Sequence, residues 1–227
     1  MLGVVLSVQA APPAKLPGRK ADSTEPWNFF LGRTAHFAIG IQYRVQHPEN
    51  VVFLGTINLS NILERGELGD PQRLADFVKD LRPDITDTSI RVLFEIKPDN
   101  AQGLAQARAQ AGHYLAALNS AVEPNKKLTG GTGFEGSLFI EFETGGALWQ
   151  LSWRTPEPGV TLYRWSYRRK KPHASFKERA AQKEEALPDE EAAQQGALAE
   201  QAIRAAYEKS ELPSGFQGQV YLPVECH

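Results

Sequence analysis

The chain has 227 residues, 41% hydrophobic and 23% charged, enough for one sizeable core with an extension. A formal net charge of −2 argues against a protein that coats nucleic acid by bulk charge, while leaving room for a local basic groove. The single cysteine, Cys226, excludes an internal disulfide and a cysteine-based zinc site. Any metal must then be held by oxygen or imidazole, which points to magnesium or manganese.

No apolar run approaches the roughly 18 residues that span a bilayer. The apolar stretch 2–8, followed by Gln-Ala-Ala, faintly resembles a secretory signal but has no basic segment before it. A junction left by an upstream domain fits it better. Residues 9–26 are rich in Ala, Pro, Lys and Gly, so residues 1–26 read as a linker or leader.

Trp27 begins the folded part. Over residues 32–45, Ala35, Ile39 and Tyr43 recur at helical spacing, with His36 and Gly40 on a neighbouring face, and His47-Pro48 ends the helix. Residues 51–54 read as a short buried strand, and 58–64 as a loop or a helical turn. Asp70 as N-cap and Pro71 at the first position predict a helix with Leu74, Phe77, Val78 and Leu81 as its stripe.

Over residues 90–97, Ile90, Val92, Phe94 and Ile96 alternate with Arg91, Leu93, Glu95 and Lys97. That period of two predicts a strand with one strongly apolar face, entered from a turn at Asp87-Thr-Ser. Residues 100–119 form a helix, with Leu104, Ala107, Ala111, Tyr114, Leu115 and Leu118 in phase. Thr129-Gly-Gly-Thr-Gly133 reads as a flexible loop. Residues 137–143, 147–154 and 160–168 read as three strands, turning at Gly145-Gly146 and at Glu157-Pro158-Gly159.

The composition changes after Arg168. Residues 177–209 are charged and Ala-rich, broken at Leu187-Pro188-Asp189, and predict two helices with Leu198, Ile203 and Tyr207 as anchors. Residues 216–224 could add an edge strand. The expected architecture is α+β, a mixed central sheet flanked by helices, with one domain over 27–172 and a charged helical extension over 173–227.

Glu95 and Lys97 project from the same side of their strand, about 6–7 Å apart. They are either a surface ion pair or part of a metal site with a lysine beside the reacting group. Asp84 lies just before the turn that returns the chain to Glu95. Two carboxylates brought together repel unless a cation sits between them. Magnesium suits such a pair, taking one or two carboxylates, waters and phosphate oxygens. With a lysine alongside, those parts add up to metal-assisted phosphodiester hydrolysis. Asp87 is the alternative to Asp84, but it sits in the turn, where Asp favours local backbone bonds.

Pro83-Asp84 followed by Glu95-Ile96-Lys97 resembles the signature of the PD-(D/E)xK nuclease superfamily. Gln110-Ala-Gly-His-Tyr114 is similar to the Q-x-x-x-Y motif of its RecB-like branch, and Gly32-Arg-Thr-Ala-His36 matches that branch's glycine and histidine on the first helix. The resemblance covers about residues 32–119. It implies a restriction-endonuclease-like core in which His36, Asp84 and Glu95 bind Mg2+ or Mn2+ and Lys97 is the catalytic amine. Gln110 and Tyr114, one helical turn apart, would orient the lysine, the phosphate or the displaced strand. His113 is three residues from Gln110, but reads as solvent-exposed.

Phe94-Glu-Ile-Lys-Pro98 with Gly103 and the helix ending Tyr-Leu-Ala-Ala-Leu-Asn119 is similar, more narrowly, to nuclease domains of bacterial polymorphic and type VI secretion effector toxins. That resemblance implies a DNase made in one bacterium's cytoplasm and delivered into another's, with a cognate immunity protein as partner. Arg164, Arg168, Arg169, Lys170 and Lys171 are the candidate DNA-holding cluster, with Trp165 and Tyr167 interleaved for stacking. The competing readings are a housekeeping repair or processing nuclease, and a catalytically silent nuclease fold used as a binding module.

Overall fold

The strand that carries Glu95 and Lys97 is buried on both of its faces, and this sets the layering of the molecule. The computed structural model describes residues 14–16, 18, 23–142 and 148–168. In chain order its elements are β1 (Ala14–Leu16), α1 (Trp27–Gln46), β2 (Val52–Leu54), α2 (Leu59–Arg65), β3 (Ile85–Asp87), β4 (Val92–Pro98), α3 (Ala101–Ala121), β5 (Thr129–Gly130), β6 (Gly136–Phe142), β7 (Leu148–Glu157) and β8 (Val160–Arg168). The strands form one mixed sheet in the order β1-β6-β7-β8-β4-β3-β2, with β5 also paired to β4.

Phe94 and Ile96 face α1. They pack with its Ala35, Ile39 and Tyr43 and with Phe134, Phe142, Trp153 and Tyr163. Leu93, on the opposite face, packs with Ile62 and Leu63 of α2 and Tyr114 and Leu118 of α3. The fold is therefore α+β, with helices against both faces of a mixed sheet. No helix among the described residues is long and apolar enough to cross a membrane.

β4 lies at the centre because it has strand neighbours on both edges. β3 pairs with it antiparallel on one edge, with Ile85 opposite Phe94 and Asp87 opposite Val92. On the other edge β5 runs parallel to its first half and β8 parallel to its second half. The helices are set by local signals at their ends. α1 ends at Gln46, with His47 as its cap and Pro48 next, and the Asn100 side chain accepts the Gly103 N–H at 2.7 Å to start α3.

Four expectations differ from the structure. Ala14–Leu16, in the stretch read as linker, is an edge strand parallel to β6, with Ala14 and Leu16 buried. Three residues are too few for alternation to stand out beside prolines and lysines. The helix expected over 70–81 is two 3-10 turns, Pro71–Arg73 and Asp76–Val78, and Phe77 is 81% exposed. Tertiary bonds hold this segment instead: the N–H groups of Leu59 and Ser60 donate to the Leu81 and Lys79 carbonyls.

The central strand begins at Val92 rather than Ile90, since Ile90 is exposed and Arg91 has a left-handed φ of 59°. The loop expected over 129–133 contains β5. Its glycines are required by crowding: a Cβ on Gly131 would lie 2.1 Å from the Phe94 ring, and one on Gly130 would lie 2.4 Å from the Pro158 carbonyl carbon. Phe94 is buried and has no room to retreat. Gly131→Ala is expected to cost about 1–3 kcal/mol by overpacking, measured as a fall in the urea midpoint.

The turn at Gly145-Gly146, the basic residues 169–171, the helices expected over 177–209 and the strand expected over 216–224 lie outside the described residues, as do residues 1–13.

Candidate active site

The β3–β4 register, carried one residue past the Ile85–Phe94 pair, sets Asp84 across from Glu95. β3 ends there, and the Asp84 side chain takes over its role: Oδ2 accepts the Ile96 N–H at 2.7 Å. Oδ1 is 2.9 Å from His36 Nδ1, so α1 and the sheet meet at this carboxylate. The His36 ring stands edge-on to Tyr163, with centroids 5.9 Å apart. On β4, Lys97 Nζ donates to Glu95 Oε1.

Both members of that pair are withdrawn from water. Glu95 is 2% exposed, and the Lys97 side chain 13%. A solvated surface ion pair is thereby excluded. Leu93, Glu95 and Lys97 share a strand face that is buried, because α3 lies against it.

Electrostatics push the two carboxylates apart. Burial drives the Glu95 carboxyl up to about 8, and the negative charge of Asp84 adds to it, against the pull of Lys97. Burial acts on Asp84 in the same direction. There the charge and hydrogen bond of His36, together with Lys97 and the Ile96 N–H, outweigh it and hold the group below the ordinary carboxylate range. Burial would lower Lys97, but Glu95 and Asp84 hold its ammonium above the ordinary value. The resting arrangement is an ionised Asp84, a protonated Lys97 and a Glu95 that keeps its proton to unusually high pH.

A stability profile follows from Glu95. Its folded pKa exceeds its ordinary value of 4.5, so its contribution is fully present below about 4.5 and is lost as pH rises through about 8. In EDTA the melting temperature is expected to fall across that window. Glu95→Gln, which cannot titrate, should flatten the fall when both proteins are followed by calorimetry.

The remaining sequence candidates are placed as follows. Tyr114 is buried in the cluster that holds Leu93, and its hydroxyl is raised by burial and then by the charges of Glu95 and Asp84. Gln110 Oε1 is buried without a hydrogen-bond partner among the described residues. His113 is exposed and stacks on Tyr114. Asp87 is not in this group. It is fully buried at the far end of β3, where it accepts from Tyr43 Oη and Asn50 Nδ2. Trp165 donates its indole N–H to the Leu31 carbonyl, so it is committed to α1, while Tyr167 is exposed. Arg164 reaches Asp99 at 3.5 Å. The Arg168 side chain and residues 169–171 are outside the described residues.

Two neighbours of the site escaped the sequence reading. Tyr163 is buried between sheet and α1, its hydroxyl raised by burial and by Asp84. The alternation Thr161, Tyr163, Trp165 toward the α1 face was the signal available for it. Arg154 bonds Asp99 at 3.0 Å from 55 residues away, which no local pattern reveals.

The fit of a metal rests on the donors. Among the described residues no group of three His, Cys, Asp or Glu side chains gathers closely enough to hold an ion. What is present is a facing pair of carboxylates, one of whose oxygens, Glu95 Oε2, is buried with no hydrogen-bond partner among the described residues. Magnesium binds through one or two carboxylates, with waters and phosphate oxygens completing its shell, so this donor set suits it. Compared with protein-family models, curated proteins and solved structures, the chain matches none.

Proposed function

We propose that the protein is a metal-dependent nuclease that hydrolyses phosphodiester bonds of DNA on a restriction-endonuclease-like core. One observation carries this reading. Asp84 faces Glu95 across a hairpin, with Lys97 ion-paired to Glu95 in a site largely closed to water. The chain order supports it: α1, β2, α2, the β3–β4 hairpin and α3, with β2 antiparallel to β3 and β8 returning parallel to β4.

Asp84 and Glu95 would hold Mg2+ or Mn2+, with His36 the third candidate donor. The ion supplies positive charge against the phosphoryl oxygens when bound. The chain's own groups do the rest. His36 and the Ile96 N–H fix both oxygens of Asp84, so the carboxylate cannot rotate away. Lys97 carries a buried positive charge where negative charge develops on the phosphate, and its Nζ can hold or donate a proton there. Gln110 and Tyr114 would orient the lysine or the phosphate from α3.

The test is degradation of plasmid DNA, with RNA in parallel, under Mg2+, Mn2+ and EDTA. Cleavage with metal and none in EDTA is the expected result. The competing reading is a catalytically silent fold used as a binding module. DNA bound but left intact under every metal would establish it and end the nuclease reading. As the setting we propose interbacterial competition, with delivery into a target cell's cytoplasm and a cognate immunity protein, on the sequence resemblance. Its check is cytoplasmic expression: growth arrest that Glu95→Gln relieves.

A further inference from the structure

We propose that Arg154 and Arg164, gathered on Asp99, form a docking point for the polynucleotide backbone beside the carboxylate–lysine centre. The surface deepens the nuclease reading and rests on it for its ligand. Asp99 follows Lys97 by two residues, about 6–7 Å along an extended chain, or about two nucleotide rises of a duplex strand. Its N–H is fixed on the Tyr163 carbonyl at 2.7 Å, so its position is set by the strand that flanks the site.

Arg154 grips Asp99 through Nε and Nη2 at 3.4 and 3.0 Å, and Arg164 joins through Nη2 at 3.5 Å. One carboxylate neutralises only one of these cations, so the cluster keeps a net positive charge. The carboxylate is mostly covered, at 19% exposure, whereas the two guanidinium side chains are 56% and 67% exposed. Each guanidinium has five donors, and Asp99 takes one or two from each. A stabilising surface pair needs one arginine and contributes little. Two arginines aimed around one anchored carboxylate suit a polyanion.

The surrounding face agrees. Leu151, Trp153, Tyr163 and Trp165 point to the α1 core, so the intervening residues point the other way. They are Gln150, Ser152, Arg154, Arg164 and Ser166, with Ser152 directly across from Arg164. This polar row begins where the cover of α3 over Leu162 ends. Guanidiniums and hydroxyls suit phosphate and sugar, so the contact carries no sequence preference.

Anisotropy of labelled duplex DNA tests this in EDTA between 50 and 200 mM salt, with Lys97→Ala protein alone and with Arg154→Ala/Arg164→Ala added. Affinity is expected to fall about tenfold or more, and the slope of log K against log salt to become shallower by about 1–2. The melting temperature should hardly move. If the double variant does not fold, Arg164→Gln alone should make the slope shallower by about 1. Unchanged affinity and slope in a folded variant, or no DNA binding by Lys97→Ala protein, would overturn the docking point even if the wild type cleaves. Arginine-dependent binding by a protein whose wild type cleaves nothing would sink the nuclease reading and leave the docking point standing.

Discussion

Glu95→Gln is expected to abolish DNA hydrolysis, by on the order of 10³-fold or more, in a protein that stays folded. The amide matches the protonated carboxyl in shape and still offers an oxygen to Lys97 Nζ, so the packing around β4 survives. It cannot become an anion, and a second carboxylate is what the proposed metal requires. Lys97→Ala should lose on the order of 10²- to 10³-fold, the range for removing one group that stabilises transition-state charge. It also takes away the cation that pulls Glu95 down, so Glu95 should hold its proton still more tightly. The double variant should be little worse than the weaker single one, since both act in one unit. Initial rates on plasmid at saturating Mg2+, with circular dichroism as folding control, check all three. Wild-type rates in both single variants would end the assignment of the site.

The alternation around Phe94 made β4 legible, together with the acid and amine it carries. The burial of its second face was not read, although Leu93 among Arg91, Glu95 and Lys97 was the clue: a leucine on a solvated face is out of place. The facing of Asp84 and Glu95 depended on the register of the hairpin, which is set by the turn over residues 88–91 with Arg91 left-handed. No glycine at that position announced the left-handed residue. β1 and β5 were illegible because two or three residues carry no period, and their pairing is decided by distant strands. Segment 70–81 had a helix start and an apolar stripe, but bonds to α2 overrode both. The Asp99 cluster joins residues 55 and 65 positions apart, and only the sheet brings them together.

Asp87 and Asp84 stand at opposite ends of one three-residue strand, and substitution should separate their roles. Asp87 accepts four hydrogen bonds. Tyr43 Oη donates at 3.0 Å and Asn50 Nδ2 at 2.7 Å, while the N–H groups of Ser89 and Ile90 donate at 3.0 and 3.3 Å. It thereby ties α1 and the chain before β2 to the hairpin turn that sets the register. Burial and the Asp87 charge raise the Tyr43 hydroxyl, so the phenol keeps its proton and remains a donor. Asp87→Ala leaves buried donors unmatched and is expected to cost about 3–5 kcal/mol, with Asp87→Asn costing less because one acceptor oxygen remains. The check is the guanidinium midpoint, with activity per folded molecule nearly unchanged. Asp84→Asn should do the reverse: it keeps an oxygen for the Ile96 N–H and stays folded, but loses metal-dependent cleavage. If Asp87→Asn silenced a folded protein while Asp84→Asn spared it, the catalytic carboxylate would be Asp87, and the register argument would fail with it.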